Sequence, residues 1–492
     1  MGEKTHRLAT VLALSIAAWI GAGPAAGPGG AVAADTAGAT GNAAQTKAIA
    51  AQTEAIAAQT EAIAEQVARL RGLELRHRVP VRVLSLAEFE GMLRQKLDVE
   101  LSDSRARGLD LALQALGWVE PPFNIREAFL SLIVTQAAAI YDPETDVYLF
   151  IEGVADSQLV DMISSHELVH ALTDQHFDLD RLIMRPAREG RLTEDQVQAM
   201  RFLVEGDATY IMMLRTVMGM LGRMKALAPG QSIDEATLAA TLRTSLETLA
   251  AMPYSTQVES MLAGAAALGG RLGASVAALD SLPVVLVRPL LDAYLRGALL
   301  IADLRARGGW ASVDSLYRNP PASTEQVLHF EKLYPQRDAP RTPVLEAPAS
   351  RGARSARILC EETLGELYVR TLFEAGGMAD EAAALAAGWD GDRLVVAESD
   401  TAWSVVWITL WDGELEASAF EDGLRRHLGR RAGATARGEN RWDVRGRPTL
   451  VARLGERVAI VQAGDSKTTE ELLGRALRGG AVDARPANRP GR

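Results

Sequence analysis

Two histidines and a glutamate lie close together in the segment HELVH, which runs from His166 to His170. In a helix, side chains four positions apart share one face, so His166 and His170 would lie one turn apart with Glu167 beside them. Two imidazoles at this spacing bind zinc in metallohydrolases, and the carboxylate acts as the general base on a water molecule. The spacing therefore predicts a zinc (Zn²⁺) site with Glu167 as its catalytic carboxylate.

A catalytic zinc ion takes a third protein ligand and leaves one position open. Glu205 is favoured because it lies in the apolar segment RFLVEGDATY, where an acid is costly unless it is paired or bound to metal. His176 is the alternative ligand, since it follows His170 by the six positions found in HExxHxxGxxH enzymes. Those enzymes turn the chain at a glycine, however, and this sequence has Thr173 at that position.

Two aspartates are candidates for orienting the ligands. Metal-bound histidines commonly donate their second ring N–H to a carboxylate. Asp174 lies one helical turn beyond His170, and Asp207 lies two residues beyond Glu205. Both are predicted to act in this way, and an ordinary polar residue at a helix edge is the alternative for each.

The elements that must position these residues can be read from the surrounding pattern. A helix is predicted to begin near Asp156 or Ser157, and its apolar residues cover so much of its circumference that it should be an interior helix. Glu205 is predicted to lie on a second helix. A strand is predicted at Val147–Gly153, and its edge is expected to pair with an extended peptide.

The N-terminus has the features of an export signal. Lys4 and Arg7 precede the apolar stretch 8–20, and small residues at 31–33 fit a cleavage site. Residues 1–33 are therefore predicted to be a signal peptide, and the protein is expected to be exported to the periplasm or the extracellular space. A membrane anchor is disfavoured because the apolar stretch is short, so no stable membrane span is expected after cleavage.

A seven-residue repeat follows within the predicted linker and helix of residues 34–74. Isoleucine or leucine recurs every seventh residue, at Ile49, Ile56, Ile63 and Leu70. A coiled coil requires two such positions per repeat, and most repeats here provide only one. The pattern is consistent with weak self-association through residues 45–71, but it favours a solvated helical spacer.

Composition and charge bound the remaining possibilities. The chain has 492 residues, of which 48% are hydrophobic, enough for one large or two ordinary domains. Its net charge of −11 argues against a nucleic-acid partner. The predicted class is α+β, with a mainly helical domain and small sheet at 75–346, a linker at 347–357, a smaller α+β domain at 358–478 and a disordered tail at 479–492.

Several motifs together resemble known proteins. HELVHALTD is similar to the active-site helix of the gluzincin metallopeptidases, including the aspartate four residues after the second histidine. HELVHALTDQHFDL, VEGDATY and PPASTEQVLHFEKLY more closely resemble a group of mostly uncharacterised exported microbial HExxH proteins, whose pattern is approximately HExxHALQDQHF, EGDA and STEQxLHPEKY. The resemblance spans roughly Leu73–Val396, and Phe330 departs from it where the group has proline.

The resemblance implies a gluzincin-like fold and a peptidase acting on peptide or protein substrates. It implies zinc at His166, His170 and Glu205, with Glu167 as the catalytic carboxylate. The alternative function is a non-catalytic exported protein, with a degenerate or structural metal site, that acts as a binding or envelope protein.

His329, in the STEQVLH segment, is predicted to donate a hydrogen bond to the oxyanion of the transition state. Tyr334 or Tyr210 is expected to assist it. A packing or surface histidine is the alternative for His329, and the resemblance favours the catalytic role.

Overall fold

A computed structural model of the protein describes residues 41–136, 138–152, 157–227, 234–259, 279, 281–345, 356–399 and 402–483. The predicted signal peptide and most of the predicted linker at 347–357 lie outside these residues. Part of the predicted disordered tail is described, and there residues Ala481–Asp483 form a short strand. That strand pairs with Arg341–Pro343, which ties the end of the described chain to the body of the protein.

The helices and strands are numbered in chain order. The helices are α1 (Gly41–Arg71), α2 (Leu86–Glu100), α3 (Asp103–Leu116), α4 (Ile125–Gln136), α5 (Ser157–Phe177), a π-helical turn (Asp180–Met184), α6 (Arg185–Arg188), α7 (Glu194–Leu227), α8 (Glu235–Ala251), α9 (Val284–Arg318), α10 (Thr324–Leu328), α11 (Phe330–Leu333), α12 (Glu366–Ala375), α13 (Ala379–Ala386), α14 (Glu414–Arg430) and α15 (Ser466–Arg478). The strands are β1 (Val81–Leu84), β2 (Ala139–Asp142), β3 (Val147–Ile151), β4 (Arg341–Pro343), β5 (Arg357–Glu362), β6 (Trp389–Glu398), β7 (Trp403–Trp411), β8 (Ala434–Gly438), β9 (Arg441–Val444), β10 (Arg447–Leu454), β11 (Arg457–Gln462) and β12 (Ala481–Asp483).

The predicted α+β class is confirmed. Most of the described helical residues precede residue 334, and a seven-stranded antiparallel sheet in the order β5-β6-β7-β11-β10-β9-β8 follows. One hydrophobic cluster joins the two regions, because Leu93 and Phe129 of the helical part pack in the same cluster as Trp407 and Trp411 of the sheet. The two regions therefore share part of their core. No helix among the described residues has the length and apolar character needed to cross a membrane.

A small three-stranded sheet lies beside the motif helix. Its order is β1-β3-β2, with β1 parallel and β2 antiparallel to β3. The expectation that the strand at 147–153 provides a free edge is wrong, because β3 is the central strand and has a partner on each side. The edge strands are β1 and β2, and β2 packs against α5.

Helix α1 is part of the folded body rather than the solvated spacer that the repeat favoured. Ile56 packs with α5 and the small sheet, and Ile63 and Val67 are buried against α5 and α7. The chain itself therefore covers the apolar stripe of the repeat from Ile56 onward. Self-association through residues 45–71 stays a prediction, and it would have to use other faces of α1.

Helices α7 and α9 cross at a close backbone contact. A Cβ atom added to Gly206 would lie 2.2 Å from the carbonyl carbon of Gly297, and one added to Gly297 would lie 2.4 Å from the carbonyl oxygen of Phe202. Only glycine leaves room for this approach. The crossing lies one residue beyond Glu205, so it fixes the position of that side chain along the axis of α9.

Candidate metal centre

Helix α5 brings the two motif histidines to the same place. Its segment from His166 to His170 is continuous helix, so the two side chains lie one turn apart on one face. Their ring centroids are 4.7 Å apart, with the ring planes 79° from each other. Both side chains are fully buried, and each offers a donor atom within 4.8 Å of the other and of Glu167.

Glu205 reaches the same point from α7, as the sequence predicts. Its Oε2 atom lies 3.1 Å from Nε2 of His166 and 3.5 Å from Nε2 of His170. In a tetrahedral zinc site with bonds of 2.0–2.1 Å, neighbouring ligand atoms lie about 3.3 Å apart. The two observed separations bracket that spacing, so the three side chains fit a zinc ion in both ligand type and distance.

The cluster is rich in buried polar atoms that have no hydrogen-bond partner among the described residues. These atoms are Nδ1 of His166, both ring nitrogens of His170, Oε1 of Glu205 and Oε1 of Glu167. Leaving a buried polar atom unpaired costs about 1–3 kcal/mol. A cation at the shared point would use Nε2 of His170 and the Glu205 carboxylate, which supports a metal-binding role for this arrangement.

Burial and charge set the protonation of the cluster. Burial lowers the pKa of His166 to about 4. Burial also opposes protonation of His170, but the adjacent Glu205 carboxylate outweighs it and raises the pKa of His170. Burial likewise works against ionisation of Glu205, yet the two imidazoles hold the pKa of Glu205 well below its usual range. Of the two histidines, His170 is therefore the more readily protonated, and Glu205 is the more strongly held in its anionic form.

Glu167 is held on one side only. Its Oε2 atom accepts a hydrogen bond of 2.8 Å from the backbone N–H of Tyr141 on β2, while Oε1 has no partner among the described residues. Burial raises the pKa of Glu167 to about 8 when no cation is present. The backbone of the edge strand thus fixes the carboxylate and leaves one oxygen free to exchange a proton.

The two predicted orienting aspartates have other partners. Asp174 accepts hydrogen bonds from the hydroxyl of Tyr141, at 2.7 Å, and from the backbone N–H of Leu179, at 2.6 Å. Asp207 forms a buried ion pair with Arg71 of α1. The Nδ1 atoms of both ligand histidines lack hydrogen-bond partners in the described part of the chain, so direct orientation of either ring by an aspartate is not seen.

His176 does not join the cluster. Helix α5 continues past Thr173 to Phe177, with the Thr173 hydroxyl donating to the carbonyl of Val169 four residues earlier. This continuation carries His176 to the helix end, where its Nε2–H donates to the carbonyl of Glu74 at 2.7 Å. The alternative ligand set with His176 therefore has no geometric support, because the chain does not turn at Thr173.

The residues predicted to stabilise the oxyanion are likewise engaged elsewhere. Nε2–H of His329 donates to Glu366 on α12 at 2.8 Å, and this bond raises the pKa of His329. The hydroxyl of Tyr210 accepts a hydrogen bond from Arg305, and Tyr334 is 55% exposed. Their assignment to the oxyanion stays a prediction that this geometry does not support, since none of their recorded contacts is with the metal cluster.

Three residues near the site were not identified as site residues from the sequence. Tyr141 provides the N–H that holds Glu167, and Arg71 pairs with Asp207. Tyr294 on α9 places its ring 5.7 Å from that of His166. Arg71 and Tyr294 lie outside the motifs, and although Tyr141 lies in the segment IYDPETDVYLF, its backbone N–H gives no side-chain signal. The acidic turn at residues 142–146 was the one sequence signal that a strand, β2, ends just before β3 begins.

Comparison with known proteins informs only the C-terminal region. Residues 357–473 match a family described as a domain of unknown function, DUF8575. This segment contains all seven strands of the seven-stranded sheet but none of the residues of the metal cluster. No curated protein and no solved structure matches the chain.

Proposed function

We propose that the protein is an exported zinc-dependent metallopeptidase. The observation that carries the proposal is the convergence of His166, His170 and Glu205, from two helices, at ligand spacing around one buried point. Glu167 lies beside this point, and its Oε1 atom has no hydrogen-bond partner in the described part of the chain. Three ligands and a neighbouring carboxylate are the parts that a hydrolytic zinc site requires.

His166, His170 and Glu205 would hold the zinc ion. When bound, zinc supplies Lewis acidity, which lowers the pKa of water and polarises a carbonyl group. Glu167 would accept the proton of the attacking water at Oε1 and pass it to the leaving amine. Its other oxygen stays bonded to the N–H of Tyr141, so the side chain keeps its orientation through both transfers.

The position of β2 favours a peptide substrate. The N–H of Ile151 donates to the carbonyl of Ala138 across the β2–β3 pair. Main-chain groups alternate along a strand, so those of Tyr141 point away from β3, as its bond to Glu167 shows. An extended peptide that pairs with this outer edge would bring a backbone carbonyl next to Glu167.

Replacement of Glu167 with glutamine tests the proposal. The variant should lose hydrolysis of a proteome-derived peptide library, followed by mass spectrometry, while zinc content measured by elemental analysis stays at the wild-type level. Glu194→Gln on α7 is the matched control, since Glu194 is also a buried glutamate, and it should keep both zinc and activity. Continued cleavage by the Glu167→Gln protein would contradict the assigned role.

One observation favours a second candidate, an exported binding or envelope protein with a structural metal. His166, Glu167, His170 and Glu205 are all 0% exposed, as ligands of structural sites commonly are. Under this alternative the wild-type protein would contain zinc, and removing the zinc would lower its stability, yet no peptide of the library would be cleaved. Cleavage that depends on Glu167 would exclude it.

A further inference from the structure

Helix α1 ends in a buried cationic side chain that pairs with the ligand-bearing helix α7. Arg71 is 0% exposed, and its Nε atom lies 2.9 and 2.8 Å from the two carboxylate oxygens of Asp207 on α7. Its Nη2 atom donates to Asp314 on α9 at 2.7 Å, and its guanidinium lies 4.5 Å from the ring centroid of Trp310. Arg71 therefore joins the C-terminal end of α1 to both α7 and α9.

The same helix covers the backs of the two ligand-bearing helices. Ile63 and Val67 of α1 share a hydrophobic cluster with residues of α5 and α7. From α5 these are Leu168, Val169 and Leu172, and from α7 they are Ala208 and Ile211. On α5 these residues alternate with His166, Glu167 and His170, and on α7 they begin three positions after Glu205. Helix α1 therefore contacts both helices next to the turns that present the histidines and Glu205.

The charge balance of this region depends on Arg71. Asp207 is fully buried and lies two residues after Glu205. Without Arg71, Asp207 would be a buried carboxylate without its main cationic partner. An uncompensated buried charge of this kind strongly destabilises the folded protein. It would relax by moving toward another cation or toward solvent, and either movement would shift the α7 turn that carries Glu205.

We infer that Arg71 is a positioning residue of the metal centre, which fixes Asp207 and thereby the turn of α7 that presents Glu205. The inference rests on the proposed function only for the identity of the ligands. It assigns to the region upstream of residue 75 a part in the site, although the sequence pattern indicated a spacer there.

Zinc affinity of the full chain measures this role, by competition with a chromophoric chelator. Arg71→Met should weaken zinc binding about 10–100-fold, the range found when residues that support metal ligands are replaced. The visible absorption of the cobalt-substituted protein should also change, because the ligand geometry changes. Arg71→Lys should lose less, because it keeps the charge but cannot bond Asp207 and Asp314 through the two separate nitrogens that arginine uses.

A second substitution separates positioning from general loss of stability. In the double variant Arg71→Met/Asp207→Asn the uncompensated charge is gone, so zinc affinity should return to within a few-fold of wild type. Arg105→Met is the matched control, since Arg105 forms a comparable buried pair with Glu362 away from the cluster. That control should have a lower free energy of unfolding in urea titrations but retain wild-type zinc affinity.

Three results would overturn the inference. They are wild-type zinc affinity in Arg71→Met, an equal loss of affinity in Arg105→Met, and no recovery in the double variant. If Arg71→Met does not fold, the same comparison is made with Arg71→Lys, where wild-type affinity and cobalt absorption would also overturn it. A wild-type protein that binds zinc but cleaves nothing would refute the peptidase proposal alone, and one that binds no zinc would refute both.

Discussion

Asp392 and Glu205 are both fully buried carboxylates, but they differ in their hydrogen-bond partners. Asp392 of the seven-stranded sheet accepts hydrogen bonds from four neutral donors, the backbone N–H groups of Leu364 and Gly365 and the indole N–H groups of Trp389 and Trp407. Glu205 faces two imidazoles, and one of its oxygens has no partner among the described residues.

The difference separates a structural acid from one that is available for chemistry. Burial raises the pKa of Asp392 to about 6, although its four donors oppose the shift, and no lone pair is left for a ligand. For Glu205 the imidazoles outweigh burial and hold its pKa below the usual range, which keeps it anionic. A buried carboxylate whose bonds are complete supports the fold, whereas one that is left incomplete is ready for a cation.

The largest expected effect is the loss of zinc from the Glu205→Ala protein. Removing one of three ligands should abolish stoichiometric zinc after dialysis, as measured by elemental analysis. Glu194→Ala, on the same helix, should retain its zinc because Glu194 pairs with Gln198 and Tyr368 instead. Full zinc occupancy in Glu205→Ala would remove the contrast with Asp392.

Asp392→Asn should cost stability without affecting the metal. The amide cannot accept all four hydrogen bonds, and bonds to a charged group contribute about 1.5–3 kcal/mol each, so we expect a loss of about 3 kcal/mol in the free energy of unfolding. Urea unfolding followed by tryptophan fluorescence measures it. The exposed Asp422→Asn should change stability by less than about 0.5 kcal/mol. Zinc loss from Asp392→Asn would show that the two acids are not independent.

His427 extends the comparison to histidines. It is buried on α14, and its Nε2–H donates to the carbonyl of Leu116, with no carboxylate partner among its recorded contacts. Burial lowers the pKa of His427 to about 4, so the folded protein binds fewer protons than the unfolded chain below pH 6.5. The stability contributed by neutral His427 is complete above pH 6.5 and falls as the pH decreases toward 4.

Between pH 7 and pH 5 this group should therefore lower the free energy of unfolding by about 2 kcal/mol. Urea titrations at several pH values, compared with His427→Gln, isolate the contribution, because glutamine keeps a donor for Leu116 but does not titrate. Parallel pH profiles for the two proteins would show that His427 is not held neutral.

The smallest expected effect is that of Tyr141→Phe. The hydroxyl of Tyr141 donates to Asp174 and Asp146, whereas its backbone N–H holds Glu167, and phenylalanine removes only the bonds of the hydroxyl. We expect a loss of about 1–2 kcal/mol in stability and zinc affinity within three-fold of wild type. A large loss of zinc affinity would instead support the orienting role that the sequence predicted for Asp174.

The sequence was most informative where chemistry depends on spacing along one helix. The positions of His166 and His170 follow from helical periodicity, and Glu205 followed from the cost of an acid among apolar residues. The α+β class followed from the patterns of the two halves. These inferences needed no knowledge of how distant segments pack.

The structure departs from the sequence-based expectations where packing between segments decides the outcome. The repeat in α1 has the same periodicity whether its stripe faces solvent, another chain or, as here, α5 and α7. The choice of β2 over β3 as the edge depends on β1, which is remote in sequence. His329 lies in a motif, but Glu366, far along the chain, determines where its ring points.

The contact between Gly206 and Gly297 couples two distant positions in the evolution of this chain. Since neither residue has a side chain, a neighbouring rotamer cannot absorb a methyl group added on either helix. Compensation would require the two helix axes to separate, which would displace Glu205 relative to the histidines. The pair should therefore show strong epistasis: substitutions elsewhere on α7 can accumulate one at a time, whereas these two glycines leave no single-step route to a larger residue.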